Sequence, residues 1–206
     1  MMATTHAYIG LAAAVASLSV TARYAPATSV LLAAFVGGLV PDLDLVTSHR
    51  KTLHFPVLYP VAACVFFGLF AVFGGQAVFV FGVALASAGL HSLSDILGGG
   101  VGYEPWEQSS SKAVYNHVIG RWHRPRRLVR YSGAPEDFAL CAAVAIPVVL
   151  LPSLGSAFRA PLIAILVGSG LYAVSRRRLP TIAASLRAVL PSTVVHRLPQ
   201  IRFEDG

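Results

Sequence analysis

The sequence predicts an all-α fold: a polytopic membrane helix bundle of about six transmembrane helices. Three observations predict it. The 206 residues are 55% hydrophobic and 12% charged, with a mean hydropathy of +0.67. Soluble domains carry about 25% charged residues, and a soluble fold of this length has too much surface to hide so apolar a chain. The apolar residues fall in runs of helical length. The basic residues collect in alternate connections between those runs. This composition excludes disordered, collagenous and disulfide-scaffold classes, and the length argues against a large multidomain enzyme.

Six apolar runs make up the bundle: about Ala7–Ala22, Thr28–Val40, Val57–Phe73, Ala77–Leu97, Phe138–Leu151 and Ala160–Ser175. Several are shorter than the ~20 residues that cross a bilayer comfortably. The second is the weakest, and a re-entrant segment is its alternative reading. A later stretch, Leu179–Leu190, is bounded by prolines and carries Arg187, a pattern that suits an interfacial helix. The first run is not read as a cleaved signal peptide, because residues 1–6 hold no Lys or Arg to form a basic leader. Residues 1–175 thus read as one membrane-embedded domain, with the chemistry in about 1–137, and 176–206 as a basic cytoplasmic tail. Cys64 and Cys141 sit inside apolar runs without metal-type spacing and read as small hydrophobes.

The net charge of +7 invites a nucleic-acid or anionic-lipid partner. Topology explains it more simply. With six helices and the N-terminus inside, fourteen of the sixteen Lys and Arg lie on the inner side, leaving only Arg23 and Arg159 outside. Positive-inside bias sets that orientation, with both termini cytoplasmic in a multi-pass cell (inner) membrane protein. The bilayer is the expected partner and nucleic acid is not. The basic run Arg121–Arg127 would grip anionic headgroups or nucleic acid, but the bias alone accounts for most of it.

The same map puts every His, Asp and Glu on the inner side, although only Lys and Arg were used to draw it. His91 and Asp95 are four residues apart at the end of the fourth run and share a helix face. Imidazole with carboxylate suits zinc and similar divalent ions. The plainer reading is a hydrogen bond that ties the helix end to its loop. Pro41-Asp42-Leu43-Asp44 ends the second run, where two carboxylates offer hard oxygen ligands or simply cap a solvated turn. His49 and His54 flank Arg50, so the segment reads as metal ligands beside an anion clamp or as a basic loop with incidental histidines. His6, taken alone, is a polar cap. Gly98-Gly99-Gly100 is expected to cap the fourth helix, and Trp106, Trp122 and Tyr131 to anchor the inner loop at the interface. Together these residues would place a His/Asp metal site at the cytoplasmic ends of the helices.

The order His6, Pro41-Asp42-Leu43-Asp44, His49-Arg50 with His54, then His91-x-x-x-Asp95 resembles the YdjM-type, LexA-regulated, inner-membrane-associated metal-dependent hydrolases. The likeness covers about residues 1–100, more loosely to 137. That family is grouped with zinc-dependent phospholipase C and the P1-type nucleases, helical enzymes that cleave phosphoesters. The resemblance implies metal-binding roles for His6, Asp42, Asp44, His49, His54, His91 and Asp95. It also has departures. Lys51 stands where the family loop has glycine, Leu53 separates Thr52 from His54, and His117 is followed four residues on by Arg121 rather than Glu. One or two ions, zinc by ligand type, are therefore expected rather than three.

The expected function is a membrane-bound metal-dependent hydrolase acting on a phosphoester or phospholipid-like substrate through a metal-activated water. Arg50 would neutralise developing charge, and His117 or His123 would accept the proton. The alternative is a non-catalytic metal-binding scaffold or a small transporter, though transport favours charges at the bilayer midplane rather than at helix ends.

Overall fold

A computed structural model describes residues 1–102, 104–152 and 154–189. Each of the six apolar runs is a helix: α1 (Ala3–Thr21), α2 (Ala27–Leu39), α3 (Leu58–Phe73), α4 (Gln76–Ser94), α5 (Pro135–Val149) and α6 (Ser156–Ser175). A seventh, α7 (Leu179–Val189), occupies the stretch read as interfacial. Four spans are long and apolar enough to cross a membrane by length and composition: Ala3–Thr21, Ala27–Leu45, Gln76–Leu97 and Ser156–Ser175. Helix α3 is apolar but only 16 residues long, and α5, of 15 residues, holds Pro147 inside and two acids in its first turn. The tail residues His196, Arg197 and Arg202 lie outside the described residues.

The second segment departs from expectation in a useful way. Pro41 ends the α-helix, yet the chain continues as a 3-10 segment, Val40–Val46. Proline lacks the N–H of a regular turn but tolerates the fixed φ of a helical start. The extension lengthens the span to 19 residues and carries Asp42 and Asp44 on its inner part. Helix α1 also begins four residues earlier than its apolar run. Thr4, Thr5 and His6 belong to its first turns, and Thr5 and His6 are buried there.

At the centre, α1, α2 and α4 pack against one another, with α3 against α4, α5 against α1, and α6 against α5. Small residues permit the central approach. A Cβ on Gly10 of α1 would overlap Ser87 of α4 and the Ala34 carbonyl of α2, and one on Gly37 would overlap the backbone at Ala84. Ser87 Oγ donates to the Ala34 carbonyl at 2.6 Å across this seam. The periphery is the reverse of a soluble surface. On α6, Val167, Leu171 and Val174 face outward, and on α3, Val61, Val65 and Val72 do so. Such continuous apolar faces need an apolar environment.

Between α4 and α5 the chain forms an antiparallel hairpin that the sequence reading did not expect, β1 (Tyr115–Asn116) with β2 (Arg121–Trp122). The Tyr115 N–H donates to the Arg50 carbonyl at 3.0 Å, docking the hairpin on the loop after α2. The glycine run does not act as a left-handed cap. Gly98 follows a 3-10 turn in an extended conformation, while Gly99 and Gly100 leave no room for a Cβ beside the Arg130 and Ser110 carbonyls. Their smallness lets the inner loop fold back under α4.

Candidate metal centre

The N-terminal end of α1, the 3-10 extension of α2, the 49–54 loop and the C-terminal end of α4 converge at one end of the bundle. There Asp42, His54, His91 and Asp95 each offer a ligand atom, all within 4.8 Å of one another, so the cluster can hold a metal ion. His54 Nε2 lies 3.2 Å from His91 Nε2, 3.7 Å from Asp42 Oδ1 and 3.3 Å from Asp95 Oδ2. His91 Nε2 lies 3.4 Å from Asp42 Oδ1 and 3.7 Å from Asp95 Oδ2. A tetrahedron with metal–ligand bonds of 2.0–2.2 Å has edges of about 3.3–3.6 Å. The five separations that involve an imidazole bracket that range, and the whole set lies within 4.8 Å.

Hydrogen bonding decides what these atoms present to one another. His91 Nδ1 lies 2.7 Å from the Gly38 carbonyl, which can only accept, so Nδ1 carries the proton. Pro41, three residues on, lacks the N–H that a 3-10 turn would direct to that carbonyl. His54 Nδ1 likewise donates to Asp44 Oδ2 at 2.9 Å. In the neutral rings, both Nε2 atoms therefore bring lone pairs to the shared space. Asp95 Oδ2 joins them, buried and without a hydrogen-bond partner. Its Oδ1 is saturated by the Met1 amine at 2.8 Å, His6 Nε2 at 3.0 Å and Arg50 Nη2 at 3.2 Å. Lone pairs and a carboxylate oxygen facing one another repel unless a proton or cation lies between them. Burial disfavours a charged His54, but its hydrogen bond to Asp44 and the adjacent Asp95 carboxylate outweigh burial and raise its pKa above the ordinary value.

The remaining expected ligands surround this set. Asp44 accepts from His49 Nδ1 at 2.9 Å and the Arg50 N–H at 3.3 Å on one oxygen. Its other oxygen accepts from His54 and from the Leu53 N–H at 3.1 Å. A carboxylate so occupied orients a ligand histidine rather than ligating, a recurrent partner of metal-bound imidazole. His6 donates through Nε2 to Asp95 and stacks on His91, with ring centroids 3.7 Å apart. Ser94 Oγ lies 2.9 Å from its Nδ1. Arg50 is buried at φ +62°. Its Nη1 donates to the Gly99 carbonyl at 2.8 Å, and Nε has no partner. A left-handed backbone at a non-glycine residue is strained, and the guanidinium's contacts with Gly99 and Asp95 hold it there.

The two expected proton acceptors sit in the hairpin instead. His117 packs on Phe55 and Tyr115. There burial and nearby Lys51 lower its pKa. His123 Nε2 pairs with Asn116 Nδ2 at 3.1 Å. Sequence reasoning missed the Gly38 and Gly99 carbonyls and Ser94, because backbone acceptors leave no residue-type signature. It also missed the part played by Asp137. That buried carboxylate accepts from the Met2 N–H at 2.7 Å, Thr5 Oγ1 at 2.8 Å and the Gly133 N–H at 3.0 Å, joining α5 to the start of α1.

Of the four cluster residues, Asp42 alone is partly open, at 11% exposure. It borders a cleft of about 460 Å³, shared with His49 and Arg50 and walled opposite by α6. No family model, curated protein or solved structure matches the chain, so its chemistry must be argued from this geometry.

Proposed function

We propose that the chain is a membrane-embedded, metal-dependent hydrolase with a zinc centre on Asp42, His54, His91 and Asp95, acting on a phosphoester at the cytoplasmic face of the inner membrane. The observation that carries this reading is the pair of Nε2 atoms 3.2 Å apart, both turned inward by Nδ1 donors, beside the unpartnered Asp95 Oδ2. The nitrogen–oxygen donor set and near-tetrahedral spacing favour zinc. In this reading α3 and α5 complete six spans, and positive-inside bias puts both termini in the cytoplasm.

When bound, the ion supplies Lewis acidity, polarising a phosphoryl oxygen and making water acidic enough to attack near neutral pH. The chain's own residues do the rest. Arg50, on the cleft wall, stabilises charge developing on the phosphate oxygens. His49 lines the same cleft with Nδ1 committed to Asp44, leaving Nε2 to take the proton that water gives up. The water oxygen would bond to phosphorus as His49 takes its proton, the ester P–O bond would break, and the departing oxygen would receive that proton from His49. His49 thus takes the role that the sequence suggested for His117 or His123.

A second reading rests on the count of protein ligands. Four ligands close a tetrahedral shell, as in structural zinc sites, whereas catalytic sites keep a position open. The hydrolase reading requires Asp42, the open member, to yield that position to water or substrate. Metal-loaded protein in liposomes should hydrolyse phosphodiesters or phospholipids, with turnover abolished in His91→Ala and reduced at least tenfold in His49→Ala at unchanged metal content. Bound metal with no turnover across such a panel would establish the structural reading instead.

A further inference from the structure

The lining of the cleft beside Asp42 has two chemically distinct parts. One is formed by Asp42, His49 and Arg50, with the buried Arg50 Nε lacking a partner. The other is a wall of α6, where Ile165, Gly168, Ser169 and Tyr172 follow the i, i+3, i+4, i+7 spacing of one helix face. Leu45 and Met2 add further apolar surface to the lining. Hydrogen bonds from Ser169 Oγ to Thr4 Oγ1 at 2.8 Å and from the Tyr8 hydroxyl to the Leu162 carbonyl fix α6 against α1. Its volume falls within the range of ligand pockets, about 300–1,000 Å³.

A water-soluble phosphoester has no use for an apolar wall that runs along a membrane-length helix. An amphiphile uses both parts. Resting on the hydrolase reading above, we infer that the substrate is a lipid phosphoester that enters laterally from the bilayer, its phosphate beside Arg50 and Asp42 and an acyl chain along the Gly168 face of α6. Gly168 is the gauge of that path. A Cβ built there meets nothing within 4 Å, so a larger side chain projects into free space without displacing the fold. Replacing a helical glycine also favours the helix.

The test compares binding of two probes to zinc-loaded protein: fluorescent lysophosphatidic acid, with phosphate and one chain, and glycerol 3-phosphate, with phosphate alone. Wild type should bind the chain-bearing probe at least tenfold more tightly. Gly168→Phe should remove that preference while leaving metal content and glycerol 3-phosphate affinity unchanged, and Gly168→Ala should stay within about twofold of wild type. Equal affinity for both probes in wild type, or a Gly168→Phe variant that keeps the preference, would overturn the proposal and return the substrate to a soluble phosphoester. Metal content, measured on the same samples, separates the two ideas. A chain preference in wild type that takes up no zinc on equilibration with the ion would retain the lipid path while the hydrolase reading fails.

Discussion

Two buried carboxylates at the same end of the bundle, Asp95 and Asp137, have opposite bonding. Both are almost completely excluded from solvent. Asp137 has an N–H or O–H for each oxygen, all supplied by α1 and the turn before α5. Asp95 has three donors crowded on Oδ1 and none on Oδ2. A satisfied carboxylate ties elements together. A half-satisfied one, facing two imidazole lone pairs, calls for a proton or a cation between them. Burial alone does not separate a structural acid from a ligand; the second oxygen does.

The contrast can be broken most severely by removing a ligand. His54→Ala takes a retained corner from the cluster while leaving the contacts of Asp95 Oδ1 with Arg50 and His6 intact. It should abolish stoichiometric metal binding, and its thermal unfolding in detergent should no longer respond to chelator. Wild type at 100 times its dissociation constant should lose about 2.7 kcal/mol on chelation. Asp137→Ala should do the reverse. It orphans buried donors at about 1–3 kcal/mol each, so a destabilisation of about 3 kcal/mol is expected by denaturant titration, with metal content of the folded protein unchanged. A subtler effect is expected at Asp44→Asn, which touches the ion only through His54. Metal affinity should fall about 10–100-fold in competition titrations without loss of the fold.

The smallest effect belongs to an exposed carboxylate. Glu136 accepts from Arg130 Nε at 2.7 Å and Nη2 at 2.9 Å. The guanidinium holds its pKa at about 2 rather than the ordinary 4.5. A depressed folded-state pKa contributes stability above about 4.5 that is lost as pH falls toward 2. Thermal midpoints of wild type and Glu136→Gln should differ slightly at pH 7 and converge near pH 2. Exposure keeps that difference small.

The helices were legible because apolar runs of 13–21 residues leave few alternatives to a helical bundle. The polar ends were legible because carboxylates and imidazoles are conspicuous in so apolar a chain. Asp42, His54, His91 and Asp95 are all among the expected ligands, and the structure brings them together. Residue type could not rank them. Asp44 and Asp42 are two positions apart in the same 3-10 segment, yet Asp44 is occupied by donors of the 49–54 loop while Asp42 faces the cluster. That assignment depends on the loop's return path, which no local pattern encodes. The hairpin that positions His117 and His123 was not legible for a related reason. The two-residue strands of the hairpin are too short for a period-2 signal, and they carry both rings to Phe55 and Asn116. The hydrogen bond from His91 to Gly38 pairs a side chain with a backbone carbonyl, and only the crossing of α2 and α4 creates it.

The most direct test of the metal centre is elemental analysis of protein purified without chelator and equilibrated with zinc, alongside His91→Ala. Wild type should carry one ion per chain and the variant none, while both retain the same helical content. A folded wild type without stoichiometric metal, or equal metal in the two proteins, would contradict the account.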